Sequence, residues 1–122
     1  MYLLEKRFID KYTFFERQTE SSKIISKYPD RFPIICERNL RDIDTPNIDK
    51  HKYLVPFDTT LGYFIQVIRK RIQLPASSAL FLFVGDNNNI LPINTKIGDI
   101  YHRFKNPDGF LYIIYSMENV FG

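Results

Sequence analysis

The chain has 122 residues, 44% of them hydrophobic and 16% aromatic, enough for one domain with a sizeable core. Lys and Arg number 17 against 14 Asp and Glu, a net charge of +3 that favours acidic partners or anionic surfaces but falls short of a polybasic nucleic-acid binder. A single cysteine, Cys36, excludes an internal disulfide framework and fits a reducing compartment; no apolar run approaches the ~20 residues of a bilayer span, and the start MYLLEKRFID is too charged for a secretory leader.

A short helix is expected over residues 4–11. Thr13-Phe14-Phe15-Glu16 is a capping box, so a helix should run from about residue 14 to Tyr28, which precedes Pro29. Its apolar stripe is thin (Phe15, Ile24, Ile25), which predicts a helix lying on the surface of something larger. RFPIICER and KYLVP read as strands, and the Asp-, Asn- and Pro-rich residues 39–49 between them read as a loop. Thr60 caps a helix whose Leu61, Phe64, Ile65, Ile68 and Ile72 recur at helical spacing, with Arg69, Lys70 and Arg71 in its last turn. ALFLFV is a third strand, turned by GDNNN, a run suited to positive φ. KIGDIYHRF, behind Thr95, is a short amphipathic helix. NPDG is a turn in which Pro presets φ and Gly accepts the left-handed region, and FLYIIYS is the last strand.

This order gives an α+β fold, a ubiquitin-like β-grasp in which one long helix packs on a four-stranded mixed sheet preceded by two N-terminal helices. The chain divides into a helical extension (1–28), the core (29–116) and a C-terminal tail (117–122).

Catalytic chemistry is hard to find. Cys36 follows Ile34 and Ile35 in a strand and reads as a small core residue, not a nucleophile. His51 stands between two lysines and His102 beside Arg103; neither has metal-ligand spacing to another His, Cys or carboxylate. No phosphate loop or nucleophile elbow is present, so no metal, no cofactor and no enzyme are expected. Arg69 to Arg71 read most simply as a solvated face. Lys50 and Lys52, two apart, are expected to point to one side of a strand. Tyr53 is the only aromatic set among these cations, which argues against nucleic acid.

Four stretches in register, KYPDRFPIICE, DKHKYLVP, IRKRIQLPASSALFLFV and FLYIIYSMENVFG, closely resemble the GABARAP-type ubiquitin-like modifiers of autophagy. The resemblance runs from about Thr13 to Gly122. It implies that Gly122 is activated by an ATP-dependent activating enzyme, passed to a conjugating enzyme, and joined to phosphatidylethanolamine. It also implies a deconjugating cysteine protease, and recruitment of cargo receptors and autophagy machinery that carry an aromatic-x-x-aliphatic motif. The protein would then move between the cytoplasm and an autophagosomal or organelle membrane. Residues encoded beyond Gly122 would require cleavage first; a stop directly after it would not.

The resemblance further implies two pockets beside an edge strand KYLVP. The aromatic residue would enter one formed by Glu20, Ile24, Pro33, Ile35, Lys52, Leu54 and Phe110. The aliphatic residue would enter one formed by Tyr53, Val55, Pro56, Leu61, Phe64 and Val67, of which Pro56, Leu61 and Phe64 serve equally well as core. Arg31, Lys50 and Arg71, with Lys52, would form a basic rim for acidic residues flanking the motif. The sequence departs from the family at Thr59, where an aliphatic pocket residue is usual, at Phe57, and at His51, which replaces a lysine; its first dozen residues match poorly. Two other readings stay open: conjugation to a protein lysine, or a non-covalent adaptor that is never conjugated.

Overall fold

Thr13 Oγ1 accepts the Glu16 amide at 3.1 Å while the Glu16 carboxylate accepts the Thr13 amide at 2.9 Å, so both halves of the expected capping box form. They open α2 (Phe14–Lys27) in the computed structural model, which describes residues 6–118. The helix stops where expected, the Tyr28 amide donating to the Ile24 carbonyl just before Pro29. Helix α1 is only Phe8–Lys11, shorter than expected: Lys6 and Arg7 are not helical, and residues 4 and 5 lie outside the described residues. The helix starts at Phe8 because the Glu37 carboxylate accepts the Phe8 amide at 2.9 Å and so takes the place of a local cap.

The remaining elements follow the expected order: β1 (Arg31–Arg38), β2 (Lys52–Pro56), α3 (Leu61–Arg71), β3 (Phe81–Val84), α4 (Ile97–Phe104) and β4 (Leu111–Ser116). The sheet runs β2-β1-β4-β3. Its two central strands, β1 and β4, are parallel, and each edge strand is antiparallel to its neighbour. Thr60 caps α3 by accepting the Tyr63 amide at 3.1 Å, and Leu61, Phe64 and Ile68 turn inward onto the sheet. That face holds the main core, with Ile34, Cys36, Leu111, Ile113 and Tyr115 fully buried. Ile35 and Phe110 are buried on the opposite face, beneath α1 and α2, in a smaller cluster with Phe8. One helix crossing one face of a four-stranded mixed sheet is the β-grasp arrangement, here with two N-terminal helices on the other face.

Two local readings gain detail and one expectation changes. Helix α2 lies on the surface, as its thin stripe predicts, and of that stripe only Ile24 packs on the domain: Phe15 is 74% exposed and Ile25 is exposed, while the buried residues are Arg17 and Ser21. The helical period explains this, since Arg17, Ser21 and Ile24 share a face that Phe15 does not. Arg17 pairs with the fully buried Asp108, and the Ser21 hydroxyl donates to the Asp108 carbonyl. A polar latch therefore holds the helix to the NPDG turn. Thr95 does not cap α4; its hydroxyl donates to the Pro92 carbonyl at 2.7 Å, and Lys96 stands at the cap. The first α4 amides go instead to backbone, Ile97 to the Thr59 carbonyl at 2.8 Å and Gly98 to the Phe57 carbonyl at 2.9 Å. Finally, Lys50 and Lys52 do not share a side. Lys50 precedes the strand, so alternation does not govern it, and its ammonium sits 5.1 Å from the centre of the Tyr53 ring. Lys52 points to the other face, 5.2 Å from the Phe8 ring.

Within NPDG, Gly109 takes a φ of +93°, the region that only glycine enters without strain, and its amide closes the turn on the Asn106 carbonyl at 2.9 Å.

Candidate functional site: the open edge of strand β2

Strand β2 pairs with β1 along one side only, from Arg31–Pro56 to Ile35–Lys52, so its other side is a sheet edge. Such an edge presents backbone donors and acceptors in strand register to an incoming chain. Along it burial alternates strictly: Tyr53 and Val55 face α3, while Lys52, Leu54 and Pro56 face out. Pro56, which has no amide to donate, closes the strand.

Between this edge and α3 lies a hollow of about 160 Å³. Five residues expected in the second pocket line it: Tyr53, Val55, Pro56, Phe64 and Val67. The Tyr53 and Phe64 rings meet edge to face at 5.4 Å and form its inner wall. The sixth, Leu61, is 1% exposed and stands in the core beneath. Thr59 lines the hollow too, adding a hydroxyl where the family resemblance implies an aliphatic side chain. Two further liners are Leu54, expected in the first pocket, and Tyr63, which the sequence reading did not single out. Tyr63 is 66% exposed. Its signal was available, because Tyr63 and Val67 are four apart on α3 and so neighbours on one face.

The residues expected in the first pocket gather on the other face, where β1 and β2 meet α2. Lys52 and Glu20 form an ion pair at 2.7 Å across that junction. Beneath it Pro33, Ile35 and Phe110 are buried and Ile24 packs half-buried on them. A residue absent from the sequence reading completes the group. Phe8 of α1 packs edge-on against Phe110 at 5.2 Å and lies under the Lys52 ammonium. Phe8 sits in the stretch that matched the family poorly, so only its aromatic character hinted at a core role.

Of the expected rim, Arg31 is exposed at the start of β1, and Arg71 is engaged by Asp49 at 3.1 Å. Lys50 packs on Tyr53, whose hydroxyl donates to the Lys50 carbonyl at 2.7 Å. Burial pushes the Tyr53 hydroxyl well above its ordinary pKa, which keeps it a neutral phenol. Phe57, a second departure, is part-exposed and lies against Gly98, where an added Cβ would fall 1.9 Å from the ring. Burial likewise raises the Cys36 thiol far from reactive range. Among the described residues no group of three His, Cys, Asp or Glu could hold a metal ion. Gly122 lies outside the described residues.

Comparison with known proteins agrees with this architecture. A family profile described as "Autophagy protein Atg8 ubiquitin like" matches residues 16–122. Autophagy-related protein 8 of Pichia angusta is 50% identical over 120 residues, covering 98% of this chain and 93% of that protein. Autophagy-related protein 8c of Arabidopsis thaliana is 55% identical over 106 residues, 87% of each chain. The crystal structure of Trypanosoma brucei ATG8 superposes with a TM-score of 0.83 at 42% identity, covering 93% of this chain and 95% of that one. The chain belongs to the Atg8 family of ubiquitin-like autophagy proteins.

Proposed function

We propose that this protein is a ubiquitin-like modifier joined through Gly122 to phosphatidylethanolamine, and that the β2 edge recruits partners carrying an aromatic-x-x-aliphatic motif. The observation that carries the recruitment is the open edge of β2 with a hollow of about 160 Å³ beside it. An extended peptide adds to the edge through main-chain hydrogen bonds, and its alternate side chains meet the two faces in turn. The aliphatic residue fills the hollow against Tyr53, Phe64 and Val67. The aromatic residue enters beside Ile24 and Leu54 once Lys52 swings away from Glu20. Exposed cations steer acidic flanking residues, each worth under ~1 kcal/mol at such a rim.

The membrane half rests on family membership and on chemistry. Among the described residues no helix is long and apolar enough to cross a membrane. Two acyl chains, at ~0.8 kcal/mol per buried CH₂, anchor stably where a single chain does so only weakly. Gly122 suits the transfer because no Cβ hinders attack at its activated carbonyl. Activating and conjugating enzymes would carry the acyl group to the lipid, and a cysteine protease would remove it. The test supplies cognate enzymes, ATP and phosphatidylethanolamine liposomes and looks for the lipid adduct by mass. Wild-type protein should form it and Gly122→Ala should not. No adduct with active enzymes, or an isopeptide to a protein lysine instead, overturns the reading.

A further inference from the structure

Asp42 lies in the loop between β1 and β2, yet its carboxylate serves the C-terminal end of β4. One oxygen accepts the Ser116 hydroxyl at 2.8 Å, the Met117 amide at 3.0 Å and the Thr45 hydroxyl. Thr45 Oγ1 takes a second share of the Met117 amide at 2.9 Å, and the Ser116 hydroxyl oxygen accepts the Glu118 amide at 3.2 Å. Asp42 is 4% exposed, and Thr45 and Ser116 are as deeply buried. Nothing in the binding edge of β2 uses this cluster.

Its location gives it a task. The ladder to β1 ends at Tyr115 and the ladder to β3 ends at Ser116, so Met117 is the first residue past both strand partners. Asp42 and Thr45 hold the backbone there, one residue beyond the sheet, and Ser116 extends the hold to Glu118. Gly122 is the fifth residue after Met117. At ~3.6 Å per extended residue, five residues of chain span at most about 18 Å. The direction in which the chain leaves Met117 therefore governs where an enzyme docked on the domain meets Gly122.

We propose that Asp42, with Thr45 beside it, is a positioning residue for C-terminal activation, aiming the segment from Met117 onward at the activating enzyme. This rests on the conjugation reading above. In the step concerned, the Gly122 carboxylate attacks the α-phosphorus of ATP and displaces pyrophosphate. An enzyme thiolate then attacks the acyl carbonyl and displaces AMP, leaving the thioester. Both attacks need the reacting atoms within ~3.5 Å, and a misplacement of about 1 Å can cost on the order of 100-fold in rate.

The experiment measures thioester formation by the cognate activating enzyme on the full chain, as wild type, Asp42→Asn and Thr45→Val. A misaimed segment lowers kcat and leaves KM, which reads docking of the domain, nearly unchanged. A merely destabilised domain does the reverse: less folded substrate raises apparent KM at unchanged kcat. The expected result is a fall in kcat of roughly 10- to 100-fold for Asp42→Asn and a smaller fall for Thr45→Val, with KM within about twofold. Binding of an aromatic-x-x-aliphatic peptide to the β2 edge should be unaltered in both. A change confined to KM, or no change, overturns the positioning role alone. If Asp42→Asn fails to fold, kcat of Thr45→Val decides. No thioester from wild-type protein overturns the conjugation reading together with this one.

Discussion

The Lys52 ammonium stands 2.7 Å from the Glu20 carboxylate, tying the open edge strand to helix α2 across the mouth of the expected aromatic pocket. Both side chains are partly solvated, so the pair contributes under ~1 kcal/mol to folding. Glu20→Gln should therefore leave the urea midpoint almost unmoved while releasing Lys52 for a ligand. A motif peptide with acidic residues before its aromatic should bind a few-fold tighter at low salt, and the gain should vanish at high ionic strength. Titration calorimetry at two salt concentrations reads both effects. Weaker binding at low salt would show that Lys52 does not face the acidic flank.

Pro56 and Tyr63 line the hollow from opposite sides and are both exposed, so they can be altered without breaking the core. Pro56→Asp should abolish measurable binding of an aromatic-x-x-aliphatic peptide, and Tyr63→Ala should weaken it several-fold. Either change should shift stability by no more than about 0.5 kcal/mol, as is usual for surface positions. Phe64→Ala is the poorer probe, because truncating a buried Phe costs about 3–5 kcal/mol whatever its role in binding. Peptide affinity that survives Pro56→Asp would move the aliphatic site elsewhere.

Arg17 is 8% exposed and pairs with Asp108, which has no exposed surface. The Asp108 carboxylate also accepts the Tyr112 hydroxyl at 2.6 Å and the Phe110 amide at 2.8 Å. Removing Arg17 strands a buried carboxylate, so Arg17→Met should cost about 3–5 kcal/mol in urea unfolding. The double variant Arg17→Met/Asp108→Asn should cost clearly less than the sum of the single changes, since the orphaned charge is gone. Additive costs would mean the two groups act independently.

Burial by itself pushes the Asp42 carboxyl upward, but hydrogen bonds from Thr45, Ser116 and the Met117 and Asp44 amides outweigh it and leave it below its ordinary value. Its folded pKa thus lies under its unfolded one, and the unfolded chain binds more protons in between. The stability it contributes is fully present above about pH 4 and is lost as pH falls through the folded pKa. Asp42→Asn should flatten the acid limb of a stability-against-pH curve measured by urea unfolding between pH 5 and the acid range. An acid limb identical to wild type would exclude Asp42 as its source.

Much of this architecture was legible because its signals are local. Thr13 and Glu16 lie three apart and satisfy each other within one turn, NPDG carries its own turn chemistry, and KYLVP is a short apolar run that Pro56 ends. Such patterns depend on backbone geometry that neighbouring residues impose. The family resemblance supplied the rest of the expected site, and most of the residues it implied do gather at the β2 edge or at the junction with α2. The exceptions have tertiary causes. Phe15 and Ile25 look like the packing stripe of α2, but Arg17 and Ser21 are buried because Asp108, 91 residues from Arg17, is there to receive them. Lys50 and Lys52 part company because only one belongs to the strand. Asp42 reads as loop punctuation until Ser116 and Met117, 74 and 75 residues on, arrive at its carboxylate. Periodicity tells which face of an element is apolar; only the folded chain decides which polar groups meet, because a buried charge is tolerated solely where distant donors or counter-charges close around it.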